Sequence, residues 1–124
     1  MFLYAALGGA IGAAARYGVN LTAPRFFGTG FPWATLIVNV AGSLAMGLLI
    51  GLMAHAWNTS QEMRVFLTTG ILGGFTTFSA FSLDFANLVE RKDYGLALGY
   101  AGGSVALSLV AVFAGLWLIR AVWA

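Results

Sequence analysis

Gly70-Ile-Leu-Gly-Gly-Phe-Thr-Thr-Phe-Ser-Ala-Phe-Ser82 is the stretch on which the fold turns. It lies in a run without charge, Val65 to Leu83, close to the roughly 20 residues a helix needs to cross a hydrocarbon core. Within that run, two adjacent glycines followed by Thr76-Thr77 weaken a helix. A break frees backbone donors and acceptors. At membrane depth these are tolerated only where they are buried in protein or line a cavity or ion site. The stretch therefore predicts a membrane helix broken near residues 73–78. After the break, Phe78 and Phe81 fall three apart on one helical face, Phe75 and Phe78 share that spacing, and Ser79 and Ser82 form a neighbouring hydroxyl stripe. Core packing is the ordinary explanation for aromatics so spaced; here it competes with the adjacent break and hydroxyls.

Composition supports the membrane setting. Of 124 residues, 60% are hydrophobic and 8% charged, and the mean hydropathy is +0.90. A soluble domain carries about 25% charged residues, and a domain this small exposes much of its surface. Both a soluble monomer and a disordered chain are excluded. The chain has no cysteine, which excludes disulfides, thiolate metal sites and cysteine nucleophiles. The net charge of +2 comes from six basic and four acidic residues, and Arg91-Lys92 is the one basic pair. No nucleic-acid footprint follows from so few groups. Met1-Phe2-Leu3-Tyr4 lacks the basic region of a signal peptide.

The other charge-free runs are Met1 to Ala15, Phe26 to Gln61 and Tyr94 to Ile119. The second is too long for one span. It opens on a turn ending at Pro32, suited to a helix start, and closes in the polar connection His55 to Gln61. The expected fold is all-α and integral to the membrane. It is a single domain over 1–124, with four antiparallel spans at Leu3–Asn20, Trp33–Ala54, Met63–Leu88 and Tyr94–Ala121, and with Ser60 capping the third. Glycines recur at four-residue spacing in Gly8/Gly12, Gly47/Gly51, Gly70/Gly74 and Gly95/Gly99/Gly103. Such spacing suits close helix packing in lipid, within a subunit or across a homodimer. Arg16, Arg25, Arg91 and Lys92 fall on one side and Arg64 and Arg120 on the other. So small a bias permits insertion in both orientations.

Polar groups at membrane depth are the functional candidates. Asn39 lies about two turns into the second span and reads either as glue between helices or as a donor lining a path. Tyr100, Ser104 and Ser108 follow one another at i, i+4 and i+8, one polar stripe on an apolar helix. Asp84 is the acidic group nearest membrane depth, free to snorkel, pair with an arginine or face a vestibule. His55, the one histidine, falls in a connection, and no carboxylate pair, metal-ligand cluster or phosphate-cradling motif is present. The chain does not read as an enzyme.

With Arg16 in an early Gly-rich helix, Thr35-Leu-Ile-Val-Asn39 in span two and Gly73-Gly-Phe-Thr-Thr-Phe-Ser-Ala-Phe-Ser82 in span three, the chain resembles the bacterial Fluc, or CrcB, fluoride channels over nearly its whole length. The resemblance implies an antiparallel, dual-topology homodimer in the bacterial inner membrane, with two fluoride pores built from both subunits. It further implies a structural sodium ion on the dimer axis, held by backbone carbonyls that map to Gly73 and Thr76. The family's paired phenylalanines map to Phe78 and Phe81 and its pore asparagine to Asn39. Its hydroxyl track maps to Tyr100, Ser104 and Ser108, with Ser79 and Thr77 nearby, and its span-one arginine to Arg16. Many members carry Glu where this chain has Asp84, which leaves any vestibule role of that acid open.

The physics agrees with such a pore. Fluoride is strongly hydrated, so donors must replace its water. Asn39 and the hydroxyls can donate, and the ring edges of Phe78 and Phe81 carry the positive end of the quadrupole. Edge contacts are weak enough for release, which conduction requires. Membrane lipid, fluoride and a second copy of the chain are the expected partners. A small multidrug-type proton-coupled exporter is the alternative, but it is expected to carry an acid in its first span, which has none here. A purely structural subunit would need neither the break nor the polar stripe.

Overall fold

The structure, a computed structural model, describes residues 1–55 and 57–123, the side chain of Trp123 excepted. Ala56, in the expected second connection, lies outside the described residues. Among those described, every regular element is helical: α1 (Phe2–Phe27), α2 (Trp33–His55), α3 (Gln61–Arg64), a π-helical segment (Val65–Leu72), α4 (Gly73–Phe75), α5 (Ser79–Glu90) and α6 (Tyr94–Trp123). The stretches Trp33–His55, Gln61–Glu90 and Tyr94–Val122 are long and apolar enough to cross a membrane. The 26-residue α1 is long enough as well. It falls outside that set because Arg16, Arg25 and its many Gly and Ala residues dilute its hydropathy. It also runs on past the expected end at Asn20 through Pro24, and stops at Gly28, whose φ of 79° suits glycine.

The third stretch starts as expected: Ser60 Oγ accepts a hydrogen bond from the Met63 amide at 3.2 Å. It then departs from a plain α-helix. The π-helical turns of Val65–Leu72 have no signature in the sequence; such widened turns recur at functional sites. The break itself falls in the second half of the expected 73–78 window. Gly73 and Gly74 stay helical in α4, and the chain turns extended at Thr76, with φ −82° and ψ 158°, before α5 begins at Ser79.

Gly70 and Gly74 serve a different purpose. A Cβ on Gly74 would sit 2.7 Å from the Gly9 carbonyl oxygen, and one on Gly70 would sit 2.8 Å from the Gly8 Cα. The Gly8/Gly12 and Gly70/Gly74 pairs thus let α1 lie backbone to backbone on the π-helical segment and α4. A second seam joins α2 to α6, where a Cβ on Gly115 would sit 2.6 Å from the Leu44 carbonyl oxygen and Gly47 faces the Val112 carbonyl. The α6 ladder is different: nothing within 4 Å faces Gly95, Gly99 or Gly103. Leu98, Phe113, Trp117 and Val122 on the same helix are exposed, as a lipid-facing surface requires.

Candidate functional site

The break is held by one side chain. Asn39 Nδ2 donates to the Thr77 carbonyl at 2.9 Å, and the Thr77 amide donates to Asn39 Oδ1 at 2.8 Å. Asn39 is therefore glue between α2 and the third span. The amide nitrogen carries two hydrogens, however, and only one serves Thr77. Asn39 also lines a cavity of about 550 Å³.

The same bonds release two carbonyls. In an uninterrupted helix, the Thr77 N–H would close on Gly73 and the Ala80 N–H on Thr76. The first goes to Asn39 and the second to Thr77 Oγ1, at 3.2 Å. Gly73 and Thr76 thus carry carbonyl oxygens stripped of their helical donors. The Thr76 hydroxyl spends its proton on the Leu72 carbonyl at 2.9 Å, so beside them it can act only as an oxygen acceptor.

Most residues singled out from the sequence meet in the 550 Å³ cavity: Asn39, Gly73, Thr76 and Thr77 on one wall, Phe78 and Phe81 beside them, and Ser104 and Ser108 on α6 opposite. The Phe78 and Phe81 ring centroids are 5.5 Å apart at 40°. Phe78 is 76% exposed, so its ring edge is open to whatever occupies or adjoins the cavity. Ser104 is the informative hydroxyl. A membrane-helix serine ordinarily bonds back to its i−4 carbonyl, yet Ser104 Oγ is buried and has no partner among the described residues. A buried unpaired hydroxyl is costly; Ser104 lines the cavity, but its Oγ is closed off from it in the single subunit. Ser79 does not line this space; its Oγ lies 3.4 Å from Thr77 Oγ1. Arg16 is half-buried on α1 with its Nε unpaired, and does not line it either.

Past Ser104 the stripe ends in a knot. Tyr100 is fully buried, and its hydroxyl donates to Asp84 Oδ2 at 3.1 Å. Thr35 Oγ1 donates to the same oxygen at 2.6 Å. Among the described residues, Asp84 thus finds hydroxyls, not an arginine. The Tyr100 ring packs 5.1 Å from Phe81 and edge-on to Phe31 at 5.4 Å. Thr35 and Phe31 were not among the candidate residues. Thr35 was within reach, lying four residues before Asn39 on the same helical face. Phe31 was not, because it belongs to a loop whose fold has no sequence period.

A match to the family described as CrcB-like protein, Camphor Resistance (CrcB), spans residues 3–116. The chain belongs to the CrcB family. It is 58% identical over 123 residues to the fluoride-specific ion channel FluC of Paracoccus denitrificans, covering 99% of this chain and 97% of that one. It is 54% identical over 120 residues to the FluC of Rhodospirillum centenum, covering 97% and 95%, and 56% identical over 124 residues to that of Hyphomonas neptunium, covering 99% and 98%. Among CrcB chains so similar in length, the cavity and its knot of hydroxyls and carboxylate are the features to be read for function.

Proposed function

We infer that this CrcB protein is a fluoride channel, not an enzyme, and that it lets cytoplasmic fluoride leave down its electrochemical gradient. One observation carries the reading onto these residues: a single cavity of about 550 Å³ is lined by Asn39, Phe78, Phe81, Ser104 and Ser108, and the Ser104 hydroxyl has no partner among the described residues. An anion that sheds water needs donors that do not already serve the protein. Ser104 supplies one, the second Asn39 N–H another, and Ser108 continues the row. Phe78 and Phe81 offer ring edges, which hold an anion weakly and release it. From Ser104 the row leads to Tyr100, whose hydroxyl is shared with Asp84.

The same reading takes in the assembly. Four spans, with α1 among them, form one subunit, and two subunits pair antiparallel in the bacterial inner membrane to give two pores. Support comes from the small charge bias, from the exposed Phe78 beside an open cavity, and from the glycine face of α6 with nothing against it. The freed carbonyls of Gly73 and Thr76 fit a hard monovalent cation such as sodium. Oxygen is the donor such a cation takes, and among the described residues no cluster of His, Asp or Glu competes for the role. When bound, sodium supplies a fixed positive charge and ties the break together. Arg16 is assigned to an aqueous vestibule or to structure.

Liposomes loaded with fluoride and carrying the purified protein test the function. A fluoride electrode should register rapid release, while the same vesicles retain chloride. Retention of fluoride by vesicles holding assembled protein would defeat the reading. A single cysteine placed at one terminus of this cysteine-free chain should label from both sides of the membrane if the pair is antiparallel.

A further inference from the structure

On the far side of Asp84 lies a second cavity, of about 240 Å³, lined by Asp84 and Asn87 of α5, by Arg91 just after it, and by the α1–α2 loop with Ala34. The loop has few backbone bonds of its own, Gly28 to Pro24 at 2.9 Å and Trp33 to Phe31 at 2.9 Å, with Gly28 at φ 79°; aromatic contacts of Trp33 with Phe27 and Phe31, centroids 5.5 and 4.7 Å apart, hold its two ends. The corner after α5 is rigid by comparison. Arg91, Lys92 and Asp93 amides return to Asn87, Val89 and Leu88 at 3.0, 2.9 and 2.9 Å. From that corner Arg91 Nη2 reaches 61 residues back in sequence and donates to the Gly30 carbonyl at 2.9 Å. The next residue, Phe31, lays its ring against Tyr100, perpendicular at 89°.

We propose that Arg91 is a positioning residue for conduction: its bond to Gly30 seats the α1–α2 loop, and through it the Phe31 ring, against Tyr100 and over the Asp84 cavity. The proposal rests on the channel reading above. Arg91 touches neither Tyr100 nor the first cavity. It acts through the loop, keeping Tyr100 clasped between Phe81 and Phe31 so that its hydroxyl stays on Asp84 at the end of the Ser104 and Ser108 row. Asp93 Oδ2 lies 3.2 Å from the same Nη2, about half exposed, so it steadies the nitrogen that holds Gly30 without touching the loop itself.

A lone cysteine at Ala34 reports on the loop. In Arg91→Ala, a charged water-soluble thiol reagent should modify Ala34→Cys roughly fivefold faster, the ratio expected for one net hydrogen bond at a partly exposed donor. Fluoride efflux should slow several-fold. Phe31→Leu should slow efflux alike, and Arg91→Ala with Phe31→Leu should be no slower than the slower single variant, because both act through one ring. Asp93→Ala should change modification and efflux less than Arg91→Ala does, because the Gly30 bond itself remains. An unchanged modification rate in Arg91→Ala, multiplying effects in the double variant, or equal effects from Asp93→Ala would overturn the proposal. A parent that retains fluoride would end the conduction role along with the channel reading, whereas the modification rates judge the loop link by themselves. Size-exclusion chromatography of each variant establishes that the protein compared is folded and assembled.

Discussion

Asn39 and the Thr77 peptide exchange two hydrogen bonds, 2.9 and 2.8 Å long, and this reciprocal pair replaces the helical bonds lost at the break. One side chain thus satisfies both backbone polar groups of Thr77, the N–H of one peptide and the C=O of the next. Asn39→Ala should cost about 1–3 kcal/mol for each group left unpaired. Asn39→Asp should be worse for conduction. It keeps an acceptor for the Thr77 amide but turns a second acceptor on the Thr77 carbonyl and, when charged, repels an anion in the adjoining cavity. Thermal unfolding of the detergent-solubilised protein checks the first effect, and fluoride efflux from liposomes the second.

Asp84 Oδ2 is shared by Thr35 and Tyr100, so their hydroxyls are coupled. Thr35→Val and Tyr100→Phe each remove one donor while keeping shape, and each should cost about 1 kcal/mol. The pair together should cost more than the sum by at least about 0.5 kcal/mol, because the second loss strips a part-buried carboxylate of its last hydroxyl donor. A double-mutant cycle on unfolding free energy measures the excess; strict additivity would mean that Asp84 finds water or another donor instead.

Much of this was legible in the sequence, and the reasons differ by element. Ser60 announces its helix through a local cap, and the break through residues that weaken a helix at membrane depth. The helical spacing of Ser104 and Ser108, and of Phe78 and Phe81, carries over into a shared cavity because helices preserve their period. The break falls inside the expected window, 73–78, but its place within that window was not legible: Asn39, 38 residues away from Thr77, decides it, and Gly74 is spent on close approach to α1. The π-helical turns and the loop around Phe31 depend on tertiary packing that no periodicity encodes. The helix α1 was legible from the charge-free run Met1 to Ala15, but Arg16, Arg25 and its glycines leave it less apolar than the three stretches long and apolar enough to cross a membrane.

Glycines that look alike in sequence should behave oppositely. At Gly12 a Cβ would run into the Ile71 carbonyl, and at Gly74 one would come within 2.7 Å of the Gly9 oxygen. Backbone cannot step aside as a side chain can, so Gly12→Ala and Gly74→Ala should each destabilise by about 1–3 kcal/mol. Gly99→Ala meets nothing within 4 Å and should leave the subunit fold intact, with a helix-propensity gain of up to about 1 kcal/mol. Thermal unfolding of the three variants side by side checks the contrast.

The two phenylalanines of the cavity separate packing from conduction. Phe81 packs its ring 5.1 Å from Tyr100 and belongs to the cluster around Leu88 and Tyr100, so Phe81→Ile should lose some stability, about 0.5–1.5 kcal/mol for the aromatic pair. Phe78 is largely exposed and should tolerate Phe78→Ile with little change in unfolding. Both replacements keep an apolar side chain and bury no new polar group, but neither offers an anion the positive edge of a ring. Fluoride efflux should therefore fall at least about tenfold in each, the loss that follows when roughly 1.4 kcal/mol of transition-state stabilisation is removed. The decisive variant is Phe78→Ile, where a stability change cannot account for the loss. Assembly by size-exclusion chromatography and efflux by fluoride electrode should be measured on the same preparation. If Phe78→Ile assembles and conducts like the parent, its ring is a packing residue and the path for the anion runs elsewhere in the cavity.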